Sequence, residues 1–170
     1  FFGIGVVSLR AGDPPSIEIT SNLPAIGNET EITIEVHEPT RGVVAVRAYF
    51  VQNEREIQLD EKQGTVLPAH ELWKTSDEVV TVKLTVGRKT IPTIKEGTGS
   101  IVVYAQPAGT WLNQPVAATK VLNLPVRLRP PEIAVLSRDH FVTQGGSGAV
   151  RYRVGSSAIR HGVQAGKWWF

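Results

Sequence analysis

The chain has neither cysteine nor methionine among its 170 residues. The first absence removes disulfides, thiolate nucleophiles and cysteine-containing zinc sites. It leaves the compartment open, because extracytoplasmic proteins often manage without cystines. The second means that Phe1 is not a natural start, so the sequence is expected to be a fragment or a processed chain. Long apolar runs are also missing. "FFGIGVVSLR" is apolar only through Leu9, well short of the roughly 20 residues a membrane helix needs. Residues 1–12 are expected to be either the end of a membrane anchor, with Arg10 at its interfacial end, or an edge strand. No segment carries a helical period long enough for a βαβ unit, which disfavours α/β folds.

Strong charge of one sign is absent as well. The net charge is +2, and 20% charged residues is too modest for disorder. The distribution is uneven. Residues 1–128 hold 12 Lys/Arg against 14 Asp/Glu, whereas residues 129–170 hold 6 against 2. A compact basic end suits an anionic polymer, a phosphate or a membrane surface, and equally an ordinary solvated face.

What the sequence does have is strands. "TEITIEVH" puts Ile32, Ile34 and Val36 on one face and Glu31, Thr33 and Glu35 on the other, a period of two. "VVAVRAYFV" is apolar on both faces, as a central strand should be. "EVVTVKLTV" alternates with Val80, Val82, Leu84 and Val86 inward. "SIEIT", "REIQL", "SIVVYAQ" and "KVLNLPVRL" complete about seven strands between residues 16 and 128, the number and length of an immunoglobulin-like sandwich. Pro125 makes the last of these an edge or bulged strand. Residues 60–77 have no clean period, and "LPAHELW" is expected to hold one helical turn.

Pro130 and Pro131 stiffen a boundary. Beyond it lie "EIAVL", "GAVRYRVG" and "GKWWF", too little for a second sandwich. The expected fold is therefore all-β: a segment 1–12, an immunoglobulin-like sandwich over 13–128, and a small basic β module over 129–170. Pro14-Pro15 and Pro130-Pro131 both open a strand in the same way, as a β module does after a linker.

Chemistry-bearing clusters are sparse. His37 beside Glu38 and His70 beside Glu71 would make a mixed metal site only if their loops met, and nothing in the spacing requires it. Ser137, Asp139 and His140 sit in one run, whereas triads gather residues from separate segments. "QGGSG" at 144–148 lacks the Lys-Ser/Thr ending of a phosphate loop and is read as a turn. No catalytic residue, metal ligand or cofactor is assigned to the chain. The residues expected to touch a partner are Arg151 and Arg153 on one face of a strand, Trp168 and Trp169 at the aromatic end, and Trp111 in a loop. Trp111 is read as a lid on the core or a ligand platform. One of the adjacent Trp168 and Trp169 is expected to be buried and the other exposed.

The tail also carries a family likeness. "PPEIAVLSRDHFVTQGGSGAVRYRV", followed by "GVQAGKWWF", resembles the region just before the catalytic domain of bacterial M23-family (LytM-type) zinc metalloendopeptidases. The match runs through Pro130, Pro131, Ile133, Val135, Leu136, Ser137, His140, Gln144, Gly145, Gly146, Tyr152, Arg153, Val154, Gly162, Val163 and Gly166. Residues 13–128 match in layout only. The resemblance implies a membrane-anchored envelope protein whose terminal domain cleaves peptidoglycan cross-links. That family binds zinc through His-x-x-x-Asp and His-x-His, and none of His37, His70, His140 and His161 fits either motif. Zinc is thus expected only in a downstream peptidase domain, and this chain would be a non-catalytic scaffold or regulatory region that positions or covers it. The implied partners are that domain and peptidoglycan or another envelope protein. No nucleic acid is expected, and the membrane is met only through an N-terminal anchor. The implied location is periplasmic or extracytoplasmic, at the inner membrane. The alternative is a free-standing cell-surface binding or adhesion module working through loops 60–78 and 106–118.

Overall fold

The computed structural model describes residues 13–71, 73–110, 113–137, 145–155, 157–158 and 160–170. The chain forms two compact units, one ending at Val126 and one running from Arg127 to Phe170. Every sheet is antiparallel. Among the described residues no helix is long and apolar enough to cross a membrane.

Seven strands build the first unit: β1 (Ser16–Ser21), β2 (Thr30–His37), β3 (Val43–Gln52), β4 (Arg55–Gln63), β5 (Val79–Val86), β6 (Gly97–Pro107) and β7 (Ala118–Val126). They form a three-stranded sheet in the order β1-β2-β5 and a four-stranded sheet in the order β4-β3-β6-β7. The alternating strands fold as their period demands. Ile32, Ile34 and Val36 of β2 are fully buried, as are Ala48 of β3 and Ile101, Val103 and Ala105 of β6. Both sheets thus supply the core. Their margins are laced by long side chains. Lys120 Nζ on β7 donates to Ile17 O on β1 (2.7 Å), and Lys62 Nζ on β4 donates to Thr81 O on β5 (2.8 Å).

Two local devices set the register. The β3–β4 hairpin turns on Asn53 and Glu54, both at positive φ (50° and 61°), the geometry whose twist matches that of two paired strands. In the β3–β6 pair the register shifts between Val43 and Ala45. The extra residue, Val44, points outward at 41% exposure instead of sharing the buried face of Val46. Pro125 lies on the edge strand β7, and its carbonyl accepts a hydrogen bond from Ile26 N (2.8 Å). The described residues of "LPAHELW" form no helix. They make turns closed by Glu71 N to Pro68 O and Lys74 N to Glu71 O, both 3.2 Å.

The second unit holds two small hairpins: β8 (Ile133–Val135) with β9 (Tyr152–Val154), and β10 (Gln164–Ala165) with β11 (Trp168–Trp169). None of its described residues is buried.

Candidate functional site

Two places in the molecule concentrate polar chemistry. The first is the β2–β3 connection, "HEPTRG". Glu38 and Arg41 are both buried there. Glu38 Oε1 accepts from the N–H groups of Asp13 (3.0 Å) and Thr40 (2.8 Å), and Oε2 from those of Arg41 and Gly42 (2.7 Å each). Burial is the strongest single influence on this carboxyl and opposes its charge. The amides of Arg41, Thr40, Gly42 and Asp13 together outweigh it and hold the group below its usual range. Gly42 closes the turn at φ +92°, and a Cβ there would stand 2.3 Å from Thr65 O, so only glycine fits.

The Arg41 guanidinium faces the other way. Its Nε donates to Leu67 O (3.0 Å) and one terminal nitrogen to Gly109 O (2.9 Å). One side chain therefore ties together the two loops, 60–78 and 106–118. The sequence alone does not mark this pair. The signal available was an acid and a base flanking Pro-Thr before a glycine, which is common in solvated turns as well. Trp73, in the first of these loops, is 81% exposed.

The second place is the basic unit from Arg127 onward. Arg151 and Arg153 are exposed, while Tyr152 and Val154 between and beyond them are half-buried, so the two arginines share a face as expected. Neither guanidinium makes an ion pair or hydrogen bond with another described residue. Tyr152 Oη lies 3.0 Å from His161 Nδ1 and the rings meet edge to face at 5.7 Å, linking the two hairpins.

Trp168 and Trp169 differ from expectation. Both are exposed, at 64% and 50%, because a strand of two residues in a two-stranded hairpin is too short to set a buried side against an exposed one. Each ring instead carries a cation. Lys167 Nζ lies 5.3 Å from the Trp168 ring centre, and Arg160 Cζ 5.2 Å from that of Trp169. The Trp169 ring lies against Gly162, where a Cβ would come within 2.6 Å of it. Reciprocal backbone hydrogen bonds between Val163 and Phe170, both 2.9 Å, fix the same stretch.

The remaining candidates stay apart. His37 Nδ1 lies 3.3 Å from Glu78 O, and no group of three metal-ligating side chains occurs among the described residues. Ser137 Oγ is buried without a partner among them. Asp139, His140, most of the approach to "QGGSG" and Trp111 lie outside the described residues, as does the segment 1–12. No family model matches the sequence, and neither does any curated protein.

Proposed function

We propose that the chain is a non-catalytic scaffold or regulatory region of an extracytoplasmic enzyme. In this reading an immunoglobulin-like sandwich is followed by a small β unit that docks on a downstream M23-type zinc peptidase. The sandwich reading is supported by seven strands in two antiparallel sheets that share one core. Here the fourth strand sits beside the third on the four-stranded sheet, a variant of the constant-type arrangement in which it would pair with the fifth.

The observation that carries the docking reading is the second unit's want of a core. Ile133, Val135, Leu136 and Val150 are 63%, 55%, 47% and 45% exposed, and none of the unit's described residues is buried. A β unit of this size ordinarily needs a metal, a disulfide or a partner to be stable. With no cysteine in the chain, a partner is the simplest completion, and the tail's resemblance names the downstream domain. Zinc and hydrolysis belong to that domain. Loops and the double-proline junction would set its reach and angle from the membrane.

The test is the coding sequence after Phe170 together with an exchange measurement. His-x-x-x-Asp and His-x-His motifs are expected there. Joining that domain to the chain should slow amide exchange at Tyr152–Val154 by about 100-fold or more, the effect of burying a few large apolar side chains. A stop codon, or exchange unchanged by the added domain, would refute the reading. One observation favours the alternative of a surface adhesion module: Arg41 holds loops 60–78 and 106–118 at one end of the first unit, as a composite binding surface requires. Binding of a surface ligand that Arg41→Ala abolished in the 170-residue chain would favour it.

A further inference from the structure

We propose that the β10–β11 hairpin is a binding platform for a carboxylate-bearing glycan. Trp169 would be its stacking surface, and Arg160 and Lys167 its anion contacts. The hairpin carries a shallow recess of about 370 Å³, lined by Arg160, Gln164, Lys167 and Trp169. That is within the size range of small-ligand sites.

The lining decides the class of ligand. Among the described residues it contains one indole, two cations and one primary amide, and no Ala, Val, Leu or Ile side chain. A site built to grip a peptide through its apolar side chains presents aliphatic or aromatic pockets for them. Sugar rings present the opposite chemistry. Their C–H faces lie flat on an indole, and their hydroxyls and carboxylates accept hydrogen bonds from guanidinium, ammonium and amide N–H groups. Arg160 Cζ lies 5.2 Å from the centre of the Trp169 ring, and the guanidinium makes no ion pair with any described residue, so its N–H groups are available to an acceptor beside the half-exposed indole. Charge complementarity points the same way. Among the described residues the second unit has six cationic side chains and a single carboxylate, Glu132, so an anionic ligand meets attraction over the whole unit.

The ring is also held in place before any ligand arrives. Gly162 leaves room for it, because a Cβ there would stand 2.4 Å from Phe170 O as well as against the indole. Binding to a platform already ordered avoids the entropy of ordering it. That the glycan would be a cell-wall polymer rests on the envelope reading above, whereas the recess chemistry does not.

The test titrates the 170-residue chain with a hexuronic-acid oligosaccharide. Controls are a neutral hexose oligosaccharide of equal length and oligoglutamate of equal charge. Indole fluorescence and amide chemical shifts report binding. The acidic oligosaccharide should saturate, and each control should bind at least about tenfold more weakly. Arg160→Gln and Trp169→Ala should each cost about tenfold or more. Gly162→Ala should weaken binding although it removes no contacting group. If Trp169→Ala disturbs the Val163 and Phe170 amides in the free protein, Arg160→Gln decides. Absence of saturable binding, equal binding of the neutral sugar, tighter binding of oligoglutamate, or an Arg160→Gln variant that binds like the parent would overturn the proposal. Retention on isolated bacterial wall is a separate arm. Its failure, with oligosaccharide binding intact, would remove the wall as the source and leave the platform standing.

Discussion

The two units of this chain are built from the same material and end up unlike. Both start with Pro-Pro and an alternating apolar stretch. In the first, β2, β3, β5 and β6 each carry a buried apolar face, and Ile32, Ile34, Val36, Ile101 and Val103 vanish from solvent. In the second, the same alternation yields strands of three and two residues whose apolar side chains stay exposed or at most half-buried. Alternation thus specifies which face would be buried, while the number and length of strands decide whether anything is there to bury it. The units also treat charge differently. The first takes a carboxylate and a guanidinium inside and satisfies them with backbone groups. The second leaves its cations on the surface, two of them stacked on indoles.

The largest expected effect breaks the first unit from within. Glu38→Gln keeps the size of the side chain and turns half of its acceptors into donors facing N–H groups. It should cost about 3–5 kcal/mol in chemical denaturation of the first unit, the range for a disrupted buried charge network. The same variant tests a pH effect. The folded carboxyl sits below the ordinary value of 4.5. Its stabilisation is therefore complete above that value and is lost as pH falls through the folded pKa. The acid limb of the stability curve should flatten in Glu38→Gln. An unchanged acid limb would mean that the amide nest does not hold the charge.

Next in size is a matched pair of truncations. Ile34→Ala removes a fully buried side chain and should cost about 3 kcal/mol. Ile133→Ala removes one that is 63% exposed and should cost under about 0.5 kcal/mol in the chain by itself. Denaturation midpoints check both, and comparable losses would erase the contrast between the units. The smallest effect is a gain. Glu54 holds φ at 61° in the β3–β4 turn, a conformation that glycine adopts freely. Glu54→Gly should stabilise the first unit by about 0.5–1 kcal/mol, again read from the denaturation midpoint, and a loss would show that Glu54 contributes something beyond its backbone angle.

The strands of the first unit were readable because a period of two survives in almost every one. The failures came where a single residue breaks that period. The bulge at Val44 turns one valine of a stretch apolar on both faces outward, and nothing in "VVAV" marks which residue is unpaired. The Glu38–Arg41 pair was illegible for a different reason. Burial of a charge depends on amides and carbonyls brought from Asp13, Leu67 and Gly109, far off in sequence. The candidate platform was half legible. Tryptophans and basic residues in the tail pointed to a contact surface. That each ring would carry its own cation, one of them from Arg160 nine positions from Trp169, follows only from the turn at Gly166 and the pairing of β10 with β11.

The first unit buries a core of its own, whereas no described residue of the second is buried. Native-state amide exchange on the 170-residue chain tests this most directly, because it reads both units in one sample. Amides of Ile34, Ala48 and Val103 are expected to exchange only through global unfolding of the first unit. Those of Ala134, Arg153 and Phe170 should exchange through local opening, at least about 3 kcal/mol less costly. A single free energy shared by both sets of amides would contradict this contrast.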